Sequence, residues 1–166
     1  IDEINKKVYT KSDKKINDVY DWGFKVTMEA FEDLYKLLGS KFDFYFLESK
    51  VAPVGEAIVR ANVGKVFEES DGAIIFKAEK YNPKLHTRVF ITSQGLPTYE
   101  TKELGLTEAK FEAQGDMDLS IVTTANEQAE YMRVVAKALS LIHPEYEKKM
   151  KHITHGMMRF ASGKMG

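Results

Sequence analysis

The chain has 166 residues, 43% of them hydrophobic and 30% charged, which is enough for one ordinary core and is neither a disordered nor a membrane-spanning composition. A formal net charge of -1 argues against a dedicated nucleic-acid module, which would carry a basic excess, and the lack of cysteine excludes disulfides and thiolate metal sites. The four histidines have no zinc spacing, no apolar run approaches the ~20 residues of a bilayer span, and residues 1–7 lack the apolar core of a signal peptide, so a cytoplasmic location is expected.

Residues 5–12 are polar with isolated Val8 and Tyr9 and read as an extended lead-in. Asp13 is a candidate N-cap, after which Ile16, Val19, Tyr20 and Phe24 fall at helical intervals, with Gly23 weakening the helix near its end. A second helix starts at Thr27, carries Phe31, Leu34, Tyr35 and Leu38 on one face, and closes at Gly39. Residues 42–47, short, aromatic and bounded by Gly39-Ser40 and Glu48-Ser49, predict a buried strand of the main sheet. Pro53 predicts a helix start, with Val54, Ala57, Ile58 and Ala61 facing inward to about residue 62, and Gly64 ends it.

Residues 65–69 and 73–77 flank Ser70-Asp71-Gly72 and predict a hairpin, because Asp-Gly supplies the positive backbone angles of a tight reversal. A loop at 79–83 and a strand at 86–92 follow, so residues 65–92 are expected to form a small antiparallel, β-rich insertion. Pro97 or Thr98 opens a helix toward Gly105 that resumes through Ala109 and Phe111 until Gln114-Gly115-Asp116 breaks it. Residues 119–124 are β-branched and mostly uncharged, as expected of a parallel strand covered on both faces. Asn126 caps a long helix to about Leu141, burying Ala129, Met132, Val135, Ala136 and Leu139. Pro144 ends that helix, 145–150 is a charged connector, and 151–160 is a last strand entering a loop. The sum is an α/β chain with a parallel core of at least three strands, 42–47, 119–124 and 152–158. In a Rossmann-like sheet of this kind ligands bind beyond the carboxyl ends of the strands, at Asn126-Glu127-Gln128 and His155-Gly156-Met157-Met158.

Tyr99 and Glu103 stand four apart in the helix that follows Pro97, so a phenol and a carboxylate share one face. Taken alone, this stretch reads as a surface helix in which Glu103 is solvated and Tyr99 packs its ring. His86, His143 and His152 read as structural, since none has a serine or cysteine nucleophile at a telling distance. Leu96-Pro97-Thr98-Tyr99-Glu100-Thr101-Lys102-Glu103-Leu104-Gly105-Leu106, with Phe42-Asp43-Phe44-Tyr45-Phe46-Leu47-Glu48-Ser49, Glu69-Ser70-Asp71-Gly72-Ala73, Asn126-Glu127-Gln128, His155-Gly156-Met157-Met158 and Gly163-Lys164-Met165, resembles the catalytic domain of arginyl-tRNA synthetases. These are class I aminoacyl-tRNA synthetases, and the blocks stand in that family's order.

The resemblance implies a ligase that binds L-arginine and ATP, forms an adenylate, and transfers arginine to tRNA. A guanidinium needs an anionic, planar acceptor with neutral hydroxyl or amide partners. The family's Tyr-x-x-x-Asp falls on Tyr99 and Glu103, and its glutamine after the next strand falls on Gln128. Glutamate in place of aspartate carries the carboxylate roughly 1.5 Å farther along the side chain. His155, Gly156, Met157 and Met158 match the adenine-contacting segment. Lys164 and Met165 match the first two letters of the Lys-Met-Ser-Lys-Ser loop, with Lys164 steadying the triphosphate as the catalytic cation. Glu48 and Ser49 match a Glu-Ser signature and are expected to cap a helix or shape the pocket wall. Mg2+ is expected to accompany ATP, with no tightly bound cofactor and no metal site, and tRNA is expected to be gripped mainly by parts outside this chain. The class signature His-Ile-Gly-His is absent here and expected upstream of Ile1. The chain therefore reads as a fragment of the catalytic domain, truncated at both ends and inactive alone. The competing readings are a Rossmann-like nucleotide-binding module without catalysis, and a structural domain with a vestigial pocket.

Overall fold

The computed structural model describes residues 1–115, 117–156, 159–160 and 163–164, the last four as backbone. The chain divides into two compact units, 1–45 and 46–166.

In the first unit, α1 (Asp2–Thr10) occupies the segment expected to be an extended lead-in. Asp2 and Glu3 in its first turn and Lys7 in its last complement the helix dipole, and Lys7 Nζ meets Glu3 Oε1 at 3.3 Å. These local charges sustain a helix that the sparse apolar pattern does not announce. α2 (Lys14–Leu38) begins where expected, with Asp13 Oδ1 accepting from the Ile16 N–H at 3.3 Å, and ends at Gly39, whose φ of 66° an L side chain rarely adopts. The break expected near Gly23 does not occur, because one interior glycine costs a helix only ~1 kcal/mol and propagation is continuous on both sides of it.

The strand expected at 42–47 does not form. Strand formation requires a neighbour to take the run's N–H and C=O groups, and among the described residues no strand pairs with it. Phe42 and Tyr45 turn to α2 instead. The Phe42 ring centre lies 4.7 Å from that of Tyr35, and Tyr45 Oη donates to Glu32 Oε1 at 2.5 Å.

In the second unit, α3 (Glu48–Ala61) begins five residues before Pro53, which lies inside it rather than opening it. Proline has no N–H to donate to the Ser49 carbonyl, so one bond of the second turn is not made, and tertiary packing of the buried face sustains the helix. The buried face is Val51, Ala52, Gly55 and Val59, with Ile58 partly buried, whereas Val54, Ala57 and Ala61 are exposed. The face is rotated because Gly55 meets α4 (Tyr99–Gln114) backbone to backbone. A Cβ at Gly55 would lie 1.9 Å from the Thr101 carbonyl oxygen, and one at Gly105 would lie 2.1 Å from that of Val51. α4 runs unbroken through Gly105 to Gly115.

The hairpin forms as the sequence predicts. β1 (Glu68–Ser70) and β2 (Ala73–Phe76) pair antiparallel with Ser70 opposite Ala73, and the two turn residues, Asp71 and Gly72, have φ of 49° and 77°. β3 (Arg88–Ile91) adds to β2, giving a three-stranded antiparallel sheet in the order β1-β2-β3. Its rings Phe67, Phe76 and Phe90 meet Leu104 of α4 and Val134, Val135 and Leu139 in one core.

β4 (Ser120–Ala125) and β5 (Met150–His155) run parallel, from Ser120 opposite Met150 to Ala125 opposite His155. Between them lie a 3-10 turn (Asn126–Gln128), α5 (Ala129–Ile142) and a second 3-10 stretch (Pro144–Lys149). α5 buries Met132, Val134, Val135, Ala138 and Leu139, and leaves Ala136 exposed. Among the described residues the parallel sheet has two strands rather than three, and β5 starts at Met150 instead of 152. β6 (Arg159–Phe160) pairs antiparallel with β7 (Gly163–Lys164). The chain is thus α/β, with a parallel pair and a small antiparallel sheet. No helix among the described residues is long and apolar enough to cross a membrane.

Candidate functional site

Two threonines fix the start of α4. The Thr98 N–H donates to the Phe90 carbonyl at 3.0 Å, and the buried Thr101 Oγ1 donates to the same oxygen at 2.5 Å, so the first turn of α4 is pinned to β3. Tyr99 and Glu103 then lie one turn apart on one helical face. Tyr99 is 68% exposed, and Lys102 Nζ sits 5.1 Å from its ring centre while pairing with Glu48 Oε2 at 2.8 Å. Glu48 therefore ties the first turn of α3 to the first turn of α4.

Glu103 differs from the solvated residue of an ordinary surface helix. Its Oε1 is buried and has no hydrogen-bond partner among the described residues. Burial pushes its carboxyl above the usual carboxylate range, and the charge of Lys110 only partly opposes this. A carboxylate with an unused, enclosed acceptor is a group that a cation would complete.

Tyr131 of α5, partly buried, belongs to the same neighbourhood. Burial raises its hydroxyl pKa, and the nearby Glu103, Glu100 and Tyr99 add to the rise. The sequence reading missed it, although its position one helical turn after Gln128 was a usable signal. Glu100 itself is buried and faces Arg88 Nη1 at 3.7 Å.

Gln128 caps α5 and is exposed; its side chain makes no cap hydrogen bond. Because Ala125 is opposite His155, the chain leaves β4 and β5 side by side, into Asn126-Glu127-Gln128 on one strand and Gly156 on the other. His155 is exposed with its Nδ1 2.9 Å from the Gly156 carbonyl oxygen, and a Cβ at Gly156 would meet nothing within 4 Å. Met157, Met158 and Met165 lie outside the described residues, and Lys164 is placed in β7. The predicted residues thus gather in two groups, Tyr99 with Glu103 on one helical face, and Gln128 with His155 and Gly156 at one sheet edge. Tyr131 lies within electrostatic reach of the first group.

The remaining histidines sit in local pairs. His86 Nε2 lies 3.4 Å from Glu130, His143 lies between Glu108 at 3.5 Å and Glu145 at 3.1 Å, and His152 Nε2 is 2.8 Å from Thr124 Oγ1. Burial lowers the His152 pKa, with the charge of Arg133 assisting.

No family model matches the chain. It is 28% identical over 139 residues to the arginine–tRNA ligase of Flavobacterium psychrophilum, covering 82% of this chain and 23% of that protein. It is 27% identical over 159 residues to that of Borreliella afzelii, covering 92% and 26%. The chain is homologous to arginine–tRNA ligases. It spans about a quarter of the length of the curated relatives it matches. The arginyl-tRNA synthetase structure from Plasmodium falciparum shares the fold with a TM-score of 0.70 at 15% identity, covering 89% of this chain and 26% of that one.

Proposed function

We propose that the chain is part of the Rossmann-like catalytic domain of a cytoplasmic arginine–tRNA ligase, which uses ATP to activate L-arginine and passes it to tRNA. The supporting observation is the Glu103 carboxylate, enclosed, raised in pKa by burial, and without a hydrogen bond at Oε1 among the described residues. A guanidinium remains protonated at any physiological pH and presents parallel N–H donors, so it compensates both the charge and the unused acceptor. Lysine offers a single point charge in place of that fork, and selectivity follows.

In the reaction, an oxygen of the arginine carboxylate attacks the α-phosphorus of ATP, and the bond to pyrophosphate breaks. A terminal adenosine hydroxyl of tRNA then attacks the activated carbonyl, giving up its proton, and AMP leaves with the electron pair of the broken C–O bond. This chain's residues bind and orient. Glu103, Tyr99 and Gln128 hold the arginine side chain, and Gly156 lets the adenine ring approach the backbone of 155–158. Lys164 offsets triphosphate charge as it builds at the attacked phosphorus. Mg2+ would accompany ATP, held mainly by the phosphates, and would neutralise part of the triphosphate charge. tRNA is gripped mainly by parts outside this chain.

The test is Glu103→Gln in the full-length ligase, read as pyrophosphate exchange against arginine and ATP in turn. Stranding a desolvated cation costs roughly 3 to 5 kcal/mol, a loss of about two to three and a half orders of magnitude in arginine use. ATP dependence stays near normal. A variant with ordinary arginine dependence would sink the assignment.

A further inference from the structure

We propose that the groove between residues 82–85 and the outer face of α5 binds an organic phosphate, either free or as one unit of an RNA strand. The groove encloses about 280 Å³ and is lined by Asn82, Leu85, Arg133, Lys137, Glu147 and Met150 among others. That volume lies just below the ~300–1,000 Å³ of ligand pockets and suits a phosphate together with the part of the nucleotide next to it, the rest remaining in solvent. Arg133 and Lys137 are four apart on α5, so their like charges share a face, and among the described residues neither forms an ion pair. Lys137 Nζ lies 5.8 Å from the Tyr81 ring centre, which holds it over the loop side of the groove. Arg133 lines the groove one turn earlier on α5, and its charge adds to burial in lowering the His152 pKa. Two cations thus flank the opening, and Glu147 supplies the one opposing charge among the lining residues.

The neutral chemistry fits the same ligand. Asn82 Oδ1 accepts from the Lys84 N–H at 3.0 Å, which leaves its amide N–H groups to donate to a phosphate oxygen. Leu85 and Met150 give the apolar wall on which a ring would rest. The site is distinct from the proposed adenine segment. Met150 opens β5 and His155 closes it, about 16 Å apart at roughly 3.3 Å per residue.

The experiment is an NMR titration of the 166-residue chain with AMP and, separately, a short single-stranded oligoadenylate, following the Leu85 and Met150 methyls and the His152 ring. Saturable shifts at all three are expected, together with a rise in the His152 pKa as the bound anion offsets Arg133. Arg133→Gln with Lys137→Gln should weaken binding at least tenfold. Ala136→Glu, which sets a carboxylate on the exposed face beside both cations, should do the same without removing either. Tighter, salt-sensitive binding of the oligoadenylate identifies an RNA strand as the source, and a preference for AMP identifies a free nucleotide. Shifts confined to His155 and Gly156, shifts that do not saturate, or affinities unmoved by these variants overturn the proposal.

Discussion

Glu103 and Glu68 respond to pH in opposite directions, and the cause of each is local. Burial raises the folded-state pKa of Glu103 above 4.5, so its contribution is complete below that value and is lost as pH rises through the folded pKa. Glu103→Gln should therefore raise the urea midpoint at pH 7 and leave it unchanged near pH 4. A midpoint lowered at pH 7 would mean that the fold itself satisfies the carboxylate, and that no ligand is needed to explain it. Glu68 is held down to about 2 by hydrogen bonds from Lys77 and Lys80. Its contribution is present above 4.5 and is lost as pH falls toward about 2. All three side chains are exposed enough for solvent to screen them. Glu68→Gln should accordingly lower the midpoint only slightly at pH 7, and raising the salt concentration should shrink the difference further.

Among the secondary-structure elements, the crossing of α3 and α4 is the least tolerant of change. Gly55→Ala would drive a Cβ to 1.9 Å from a backbone oxygen, and Gly105→Ala to 2.1 Å from another, contacts that no rotamer change relieves. Each should cost at least the ~1–3 kcal/mol of an overpacked core and lower the thermal midpoint of the second unit. Gly23 in α2 is the control, since a Cβ there would meet nothing within 4 Å. Gly23→Ala should stabilise its helix by about 0.5–1 kcal/mol, read as increased helical ellipticity and a higher midpoint. Equal effects at all three positions would show that helix propensity, rather than close approach, governs the crossing. The same crossing sets α4 against β3 through Thr101, and so positions Glu103.

At the scale of the molecule, catalysis needs contacts made only in the transition state, and the chain matches about a quarter of each ligase relative. The 166-residue chain incubated with ATP, arginine and tRNA should form no arginyl-tRNA above background. Robust charging by the chain alone would show that the chemistry has been placed in the wrong residues.

Local chemistry was enough for some of this architecture. Asp71-Gly72 can make a two-residue reversal whatever surrounds it, Asp13 and Gly39 bound a helix through their own caps, and residues 129–141 carry a helical period strong enough to read alone, although Gln128 rather than Asn126 caps that helix and 126–128 form a 3-10 turn. The shared face of Tyr99 and Glu103 likewise follows from a spacing of four. Other outcomes depended on neighbours that no local pattern names. Residues 42–47 have the composition of a strand, yet hydrogen bonding between strands is a property of two segments, and Phe42 and Tyr45 fold onto α2. The buried face of α3 was decided by where α4 could approach a glycine, and the electrostatic proximity of Tyr131 to Glu103 by segments 28 residues apart in the chain. The sequence by itself determined turns, caps and periodicities, because those energies lie within a few residues. Only the tertiary structure decided strand pairing, helix rotation and the enclosure of the Glu103 oxygen, because burial and pairing depend on segments far apart in the chain.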